Sequence, residues 1–531
     1  TRKESSAASD VYKRQSQLCS LINSKNMKRL LSIILLALIV SSCNSRVDLG
    51  YTPQTSDDEI IQVSFNGLLG GFSQGGLKSY PTGTAEKLKH RIHFSGIRIV
   101  LYSVDKDDPS QPDKVAYVFD KDVKATAGVF SGNDYLSSPE SSDEGITFQI
   151  RGTEKITADN YLVYYFTSCN DQLKSATTVG KPFSEITGAL NYDRQKDFDH
   201  NRLINNIYYS PEPIKISKSL FDDNAINKTY QLPAPKLTAI NALLSVKWKN
   251  AVKDDRYEIL GDFILVSPDV QNLKYFLFPE IDEHLKSKFQ VYYPIDPNYG
   301  GFGTKSIEEL TNEFLYLGTY TRWARSSHDT NFTSSYRPIP ENTVASSETS
   351  AKVITRVLLN VRMLPKSLKS QLSSTQLESP DLGWVNYKGK PYLDTDFLQL
   401  YQKLLKKSNP SDEEKEFLEI GSRIMNNSNN GLAGKGYQDD EIQYFYHSLN
   451  YFSFPITHTN LDTVGGSIDN GGYFGVVRNH HYEFIINSFS TIGNASPYNL
   501  SYDLDYLTDR FISSSCEIGD MKEIVNEIDE L

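Results

Sequence analysis

Cysteine is scarce in this chain of 531 residues, which contains only four. After Cys43 only Cys169 and Cys516 remain, and they lie far apart in the sequence. We therefore predict no disulfide framework of the kind that holds small secreted domains together. In an oxidising compartment the two thiols could pair, but two separate buried or half-buried thiols is the interpretation we favour.

Motifs of the common enzyme classes are also lacking. The sequence contains no H-E-x-x-H, C-x-x-C or G-x-S-x-G pattern, and Leu77 between Gly76 and Lys78 excludes a phosphate-binding loop. His480 and His481 are adjacent, so on a strand they point to opposite faces and cannot hold one metal ion together. We therefore predict no catalytic residue, no metal and no cofactor.

The chain has few tryptophans and methionines and no excess of positive charge. Its 66 acidic and 55 basic residues give a net charge of −11, which argues against a nucleic-acid partner. Trp occurs 3 times and Met 4 times, against 33 Tyr and 26 Phe. Tyr and Phe are enriched in strands, so this composition favours a β-rich protein.

One long apolar run is present, near the N-terminus. Residues 1–26 are polar and aperiodic, and we interpret them as upstream sequence rather than structure. Met27 is followed by a basic pair, by the apolar run Leu30–Val40, and by Ser-Ser-Cys43. As a helix this run spans roughly 16 Å, about half of a hydrocarbon core, so it is too short to cross a membrane in the usual way. The pattern predicts a signal peptide over 27–43.

The segment V-S-S-C resembles the lipobox of bacterial lipoproteins. That resemblance implies that Cys43 is acylated, with palmitate among its acyl chains, and becomes the mature N-terminus. Several acyl chains on one residue anchor a protein more firmly than a single chain does. We expect the outer membrane to be the lipid partner, with the polar linker 44–58 leading to the folded body.

Short strands dominate the rest of the sequence. Ile61, Val63 and Phe65 alternate with polar residues, which is typical of a half-buried strand. Ten further strands are predicted between turn signals: Ile92–Val104, Val115–Asp120, Ile146–Arg151, Tyr161–Ser168, Ile214–Ser217, Leu243–Trp248, Phe263–Val266, Phe314–Tyr320, Val353–Met363 and Tyr451–Ile456. Tyr473–Asn487 completes the series. Such dense short strands favour antiparallel sandwiches over βαβ units.

The segment Gln231–Pro235 is the predicted boundary between an N-terminal domain, 59–233, and a C-terminal domain, 234–497. Helices are expected within an insertion at about 366–447. Thr395-Asp396 could cap a helix over Phe397–Lys407, and Asp412–Met425 has the same apolar periodicity. The acidic tail after 497 ends in a segment, Glu517–Leu531, whose apolar residues are in helical register.

Several segments resemble the type V fimbrial subunits of Bacteroidota, the fimbrillins. The clearest runs from Phe474 to Tyr482 and contains Arg478-Asn479-His480, similar to the family's R-N-H strand near the end of the subunit. Upstream segments that match in the family's order are Ile97–Tyr102, Tyr161–Cys169, Ala242–Trp248, Glu341-Asn342-Thr343, Thr355–Leu359 and Tyr451–His458. The resemblance implies a mainly β fold of two tandem antiparallel β-sandwich domains of transthyretin-like, fimbrillin type, with the insertion in the second.

The resemblance also implies assembly by β-strand addition into surface fimbriae that support adhesion. A protease removes an N-terminal strand, which would be Ile60–Asn66 here, and a C-terminal strand of another subunit replaces it. The candidate cleavage sites are Lys78, Lys87, Lys89 and Arg91. The candidate donor is Tyr498–Tyr506, whose alternating apolar residues are Tyr498, Leu500, Tyr502, Leu504 and Tyr506.

Alternatives to both inferences stay open at the level of sequence. Tyr498–Tyr506 could be an ordinary last strand of its own domain. The chain could instead be a surface glycan-binding lipoprotein, in which tyrosines supply stacking platforms. An envelope hydrolase has no motif in its favour. The sequence does not identify the receptor on a host or bacterial surface.

Overall fold

The computed structural model contains strands in every part of the chain that it describes. These parts are residues 60–69, 96–122, 125–126, 129–130, 146–157, 159–192, 207–218, 228–231, 238–248, 252–261, 263–316, 324–327, 337–346, 350–426, 431–496, 512–520 and 523–526. They all belong to one compact unit, Glu59–Leu531. The prediction of a mainly β chain is confirmed, whereas the division into two tandem sandwiches stays a prediction.

The strands of the first half are β1 (Ile60–Leu69), β2 (Gly96–Val104), β3 (Pro112–Asp122), β4 (Ala125–Thr126), β5 (Val129–Phe130), β6 (Ile146–Thr157), β7 (Tyr161–Thr167), β8 (Leu190–Asn191), β9 (Tyr208–Tyr209), β10 (Ile214–Ile216), β11 (Lys228–Gln231) and β12 (Thr238–Ala239). Two short helices, α1 (Asp171–Ala176) and α2 (Ser184–Thr187), lie between β7 and β8.

The strands of the second half are β13 (Asn241–Trp248), β14 (Tyr257–Ile259), β15 (Phe263–Asp269), β16 (Gln271–Asn272), β17 (Lys274–Tyr275), β18 (Phe314–Leu315), β19 (Ala324–Ser327), β20 (Arg337–Pro340), β21 (Asn342–Thr343), β22 (Arg356–Pro365), β23 (Trp384–Tyr387), β24 (Lys390–Leu393), β25 (Met425–Asn426), β26 (Gly431–Leu432), β27 (Tyr437–Gln438), β28 (Ile442–Phe445), β29 (Leu449–Pro455), β30 (Gly475–Val476), β31 (His480–Phe489), β32 (Ile512–Asp520) and β33 (Glu523–Asn526).

The helices of the second half are short except for two. They are α3 (Glu283–Phe289), α4 (Ile307–Leu310), α5 (Lys366–Lys369), α6 (Ser374–Glu378), α7 (Asp394–Leu405) and α8 (Asp412–Ser422), with 3-10 turns at Tyr446–Ser448 and Ile468–Asn470.

In the first half, the main sheet has the order β12-β9-β7-β2-β3, and β10 also pairs with β7. Strand β7 (Tyr161–Thr167) is buried at every position, because it has neighbours on both edges and both of its faces are covered. Its aromatic and aliphatic residues pack with Val100 and Tyr102 of β2. Residues that follow the predicted boundary, Leu273, Tyr275 and Leu277 among them, complete this core.

In the second half, two sheets enclose an extensive apolar core. One has the order β20-β13-β31-β32-β33, and the other has the order β14-β22-β15-β19, with β29 also paired to β22. Alternate residues of β13 and β22, such as Leu244, Val246, Leu359 and Val361, are buried between them. Most pairs are antiparallel as predicted, but β13 and β31 run parallel.

The insertion has its own apolar core. Helix α8 begins at a capping box in which Ser411 and Glu414 satisfy each other's backbone N–H groups. Helix α7 begins at Asp394 without a side-chain cap, so the predicted cap at Thr395-Asp396 is wrong. Both helices pack on a four-stranded sheet, β24-β23-β28-β27, which the sequence analysis missed.

Three further predictions need correction. Strand β22 begins at Arg356, and Val353 and Ile354 lie in a turn whose side chains enter a separate small core. The predicted strand Tyr473–Asn487 is broken between β30 and β31, where Asn479 has a φ of 61°. The tail is not helical where it is described, because β32 pairs along β31 and β33 pairs with β32.

Candidate functional site

Strand β1 is the central strand of a three-stranded sheet, β11-β1-β6. It runs parallel to β11, from Val63 opposite Lys228 to Asn66 opposite Gln231. On its other edge it runs antiparallel to β6, from Ile60 opposite Thr157 to Leu69 opposite Ile146, with a shift in register after Gln62. The predicted strand Ile60–Asn66 is therefore confirmed and extends to Leu69.

The central position of β1 determines which strand edges would be exposed if β1 were removed. Backbone N–H and C=O groups of a strand form an obligatory set of hydrogen bonds. Without β1, both β6 and β11 would have an open edge facing the same slot. An open edge is a template for pairing with another strand.

The predicted processing and donor residues lie outside the described residues. This applies to Cys43, to the candidate cleavage residues Lys78, Lys87, Lys89 and Arg91, and to the candidate donor residues Tyr498, Leu500, Tyr502, Leu504 and Tyr506. Their roles therefore stay predictions. Among the described helices, none is both long and apolar enough to cross a membrane.

The chain on each side of the candidate donor strand is paired within the second half. Before it, Asn494 forms an isolated antiparallel bridge with Tyr451 of β29. After it, β32 pairs with β31 from Phe489 opposite Ile512 to His480 opposite Asp520. The donor segment thus lies between two points of attachment to its own domain.

Arg478 and Glu341 join two of the sequence segments that resemble fimbrillins. The Arg478 backbone N–H and Nε both donate to Glu341 Oε2, at 3.1 and 2.8 Å, and Nη2 donates to Oε1 at 2.7 Å. Both side chains are almost fully buried. Burial opposes the charge of Arg478, but the Glu341 carboxylate keeps the pKa of the guanidinium above its ordinary value.

The same guanidinium connects the two halves of the chain. Its Nη1 donates to the Tyr209 hydroxyl at 3.0 Å and to the Leu277 carbonyl at 3.2 Å, and Nη2 donates to the Phe276 carbonyl at 2.6 Å. Tyr209 belongs to β9 in the main sheet of the first half. Sequence reasoning treated the R-N-H and E-N-T motifs separately. Their opposite charges were the available signal, since a buried charge requires a partner.

Asn342 and Thr343, the next residues of the E-N-T motif, are buried hydrogen-bonding residues. Asn342 Nδ2 donates to the Val353 carbonyl and to Thr355 Oγ1, both at 2.8 Å. Thr343 donates its backbone N–H to the carboxylate of Asp296. Burial raises the pKa of Asp296 to about 7. The Thr343 bond holds Asp296 against β21, and the Asn342 bonds hold Val353 and Thr355 there.

A second buried ion pair lies at the first residue of β22. Arg356 Nε and Nη2 donate to Asp269 Oδ2 at 2.9 and 2.8 Å, and both side chains are 1% exposed. The pair sits at the register position where β22 faces β15. Its role is structural, because neither side chain reaches solvent.

His458 and His480 form an edge-to-face ring pair in the C-terminal region. His458 and His480 have ring centroids 5.0 Å apart, and Tyr482 Oη lies 3.0 Å from His458 Nδ1. The Val477 N–H donates to the same hydroxyl at 2.9 Å. Burial and the neighbouring His480 lower the pKa of His458 well below its usual value. Among the described residues, no three metal-ligating side chains gather.

Cys169 is a free cysteine that packs against the core of the first half. Burial raises the pKa of its thiol to about 12, which suppresses the reactive thiolate. The side chain of Cys516 lies outside the described residues. Cys169 therefore contributes to packing and not to chemistry.

A family comparison bears on the region around Arg478. Residues 443–514 match the family model of the major fimbrial subunit protein type IV, fimbrillin, C-terminal. This part of the chain is fimbrillin-like. The fimbrillin-like segment contains β29, β30 and β31, together with Arg478 and the candidate donor strand. It supports a structural role as a fimbrial subunit at the cell surface.

Solved structures with distant similarity come from Bacteroidales. A candidate cell adhesion protein of Parabacteroides distasonis has 10% identity and a TM-score of 0.39, and the match covers 87% of this chain and 99% of that one. A fimbrial assembly protein of the same species has 11% identity and a TM-score of 0.28, and the match covers 57% of this chain and 96% of that one. A candidate cell adhesion protein of Bacteroides eggerthii has 8% identity and a TM-score of 0.38, and the match covers 88% of this chain and 98% of that one. No curated protein matches the sequence. The fimbrillin-like segment carries the functional argument.

Proposed function

We propose that this protein is a structural subunit of cell-surface fimbriae that support adhesion. It is made as a lipoprotein precursor and assembles by β-strand exchange after proteolytic removal of an N-terminal strand. The observation that carries the proposal is the central position of β1 between β11 and β6. The fimbrillin-like segment 443–514 supports the same function independently.

The first step in the proposal is delivery to the outer membrane. The basic pair after Met27, the apolar run Leu30–Val40 and the small residues before Cys43 have the order of a lipoprotein signal. Acylation of Cys43 would hold the precursor at the membrane until its processing. In this scheme, cleavage after β1 and the later displacement of β1 also release the subunit from its lipid anchor, since Cys43 precedes β1.

The second step is removal of β1. The sequence between Leu69 and Gly96 carries the basic residues Lys78, Lys87, Lys89 and Arg91, any of which a trypsin-like protease could select. After such a cut, β1 is held only by its pairing with β6 and β11. A neighbouring subunit's strand can then displace it and form the same kind of backbone hydrogen bonds.

The third step is donation of Tyr498–Tyr506. Its nine alternating residues reach roughly 30 Å, and the ten residues of β1 reach roughly 33 Å, so the two strands are matched in length. The hairpin β32–β33 follows the donor in sequence and pairs along β31. We infer that this hairpin separates from β31 when the donor enters a neighbour.

The alternative of a surface glycan-binding lipoprotein rests on the abundance of tyrosine. Many of these rings are committed to packing within the described residues and cannot serve as exposed stacking platforms. The buried tyrosines are Tyr102, Tyr161, Tyr164, Tyr165, Tyr192, Tyr208, Tyr209, Tyr275, Tyr293, Tyr316, Tyr401, Tyr444 and Tyr482. This distribution favours the fimbrial proposal.

The proposal is tested with limited trypsin treatment of the protein lacking its signal peptide. The treated protein should start just after Lys78, Lys87, Lys89 or Arg91, keep a cooperative thermal transition, and form a ladder of high-mass species in unheated gels. A variant with all four residues changed to Gln should stay intact and monomeric. A cleaved protein that lacks a cooperative thermal transition, or that stays monomeric, would contradict strand exchange.

A further inference from the structure

The residues immediately before the candidate donor strand are buried and held from two sides. Ala495 is 1% exposed and Ser496 is 4% exposed, although the chain is about to leave the described part of the domain. We name Gly493–Ser496 the arm root. Its two neighbours are strand β29 and the insertion 366–447.

Strand β29 holds one side of the arm root. The Tyr451 N–H donates to the Asn494 carbonyl at 2.8 Å, and the Asn494 N–H donates to the Tyr451 carbonyl at 2.9 Å. The Gly493 N–H donates to Asn450 Oδ1 at 3.2 Å. A Cβ atom on Gly493 would lie 2.6 Å from the Tyr451 carbonyl oxygen, so the backbones approach more closely than any larger residue permits.

The insertion holds the other side. The Ala495 N–H donates to Gln438 Oε1 of β27 at 2.9 Å. A Cβ atom on Gly436 would lie 1.8 Å from the Ala495 carbonyl oxygen, so here too the backbones are in direct contact. The side chain of Ala495 shares a core with Trp384 and Phe445 of the insertion.

The insertion is therefore attached at this point to the segment that leads into the donor. The core around Ala495 also contains Leu260 and Leu364, which belong to the body of the second half. Trp384 stacks on Phe445 with ring centroids 4.1 Å apart and donates its indole N–H to the Met363 carbonyl at 3.0 Å. These contacts fix the insertion to β22 and, through it, the position of Ala495.

We propose that the insertion is a clamp that fixes where the donor arm leaves the subunit, with Gly436 and Gln438 as its positioning residues. This inference rests on the proposed fimbrial function and assigns the insertion a role in it. A strand that leaves from a fixed root sets the geometry between successive subunits. Residues freed from the root would lengthen the flexible link between them.

Two glycines of the same loop provide a matched test. Gly436→Ala places a methyl group against the Ala495 carbonyl and forces the insertion away from the arm root, whereas a Cβ atom on Gly434 meets no atom within 4 Å. Neither glycine has a positive φ, so alanine introduces no backbone strain at either position. Gln438→Ala removes the side-chain hydrogen bond to Ala495 without adding a methyl group at the backbone contact, and it serves if Gly436→Ala fails to fold.

The first measurement is hydrogen exchange of the Ala495 amide in the full chain. Loss of the bond to Gln438 should speed its exchange about tenfold in Gly436→Ala and Gln438→Ala. Gly434→Ala should exchange at the wild-type rate. Equal exchange in all four proteins would overturn the clamp.

The second measurement is the stiffness of filaments assembled from trimmed subunits, taken from their curvature in electron micrographs. Filaments of Gly436→Ala and Gln438→Ala should have a shorter persistence length than those of wild type and Gly434→Ala. If wild type forms filaments and all variants match it, the clamp alone is overturned. If wild type forms no filaments, the fimbrial function is overturned, and the positioning role with it.

Discussion

Arg478 and Glu341 form a two-pronged ion pair, with Nε and Nη2 of the arginine 2.8 and 2.7 Å from the two carboxylate oxygens. The pair lies where β9, the 276–277 segment and the R-N-H region meet, since the same guanidinium also bonds to Tyr209 and to two carbonyls. A single buried charge thus connects strands from both halves of the chain, and its loss should affect both.

Replacing Arg478 with Met should lower the free energy of unfolding by about 3–5 kcal/mol, because Glu341 would remain as a buried charge without its partner. Lys388→Met is the matched control, since Lys388 and Glu416 form a surface pair at 2.6 Å. That change should lower the free energy of unfolding much less, because solvent screens the exposed pair. Urea unfolding measures the free energy of unfolding of both variants. Equal decreases would show that the buried pair contributes no more to stability than the surface pair.

Asn479 should be sensitive to backbone conformation rather than to side-chain chemistry. Its φ of 61° lies in the left-handed region, which Asn and Gly tolerate better than other residues. Asn479→Ala should cost about 1 kcal/mol, whereas Asn479→Gly should be close to neutral. Thermal melts of the two variants compare their stabilities. A glycine variant that is as unstable as the alanine variant would indicate that the amide side chain matters instead.

Asp296 should make stability fall as the pH rises. Its folded pKa of about 7 lies above the ordinary 3.8, so the folded state binds a proton that the unfolded state has released. The resulting stabilisation is complete below the unfolded pKa and is lost as the pH rises through the folded pKa. Unfolding midpoints measured across this range should decline in wild type relative to Asp296→Asn. Asp440→Asn, at an exposed position, should follow wild type. Parallel curves for wild type and Asp296→Asn would contradict the raised pKa.

The double change Leu500→Asp and Leu504→Asp should abolish polymerisation and leave the melting temperature of the monomer almost unchanged. If the strand inserts into a neighbour, each buried leucine contributes roughly 1.5–3 kcal/mol to that contact and nothing to its own subunit. Asn499→Asp with Ser501→Asp adds the same charge to the other face and serves as the control. A large drop in melting temperature would assign the strand to its own domain.

Cys43→Ala should leave the protein without lipid, either soluble or with its leader still attached. The order of basic, apolar and small residues before Cys43 is the basis of this expectation. Labelling cells with a fatty-acid probe should mark wild type and Cys169→Ala but not Cys43→Ala. A labelled Cys43→Ala protein would refute acylation at this position.

Local patterns identified most of the long strands, whereas many short strands and β32 were missed, because non-local contacts determine them. The alternation around Ile61 and the buried run Tyr161–Thr167 are visible in the sequence because each strand's own residues encode them. The break at Asn479 depends on the Arg478–Glu341 pair and on the bond from the Asn479 N–H to the Asn241 carbonyl, which a local pattern does not contain.

The tail illustrates how tertiary pairing overrides local periodicity. Ile518, Ile524 and Val525 are spaced as on a helix, yet Ile518 is paired with Ile524 and Glu517 with Val525 in a hairpin. Strand β32 forms backbone hydrogen bonds along the edge of β31, and this tertiary pairing outweighs the local helix propensity of the segment. Equally, no local pattern predicts the contact of Gly436 with Ala495, because the two residues lie in different sequence segments.

The parallel pairing of β13 with β31 also has a consequence for the order of events during export. Leu243 is paired with His481, so in the proposed export the sheet of the second half cannot close until His481 has crossed the membrane. Contacts between such distant segments form slowly because a long loop must first be closed. Until then β13 lacks this neighbour and has an edge that can aggregate. In the proposed export, folding therefore depends on keeping an unfinished sheet apart from its copies until β31 arrives.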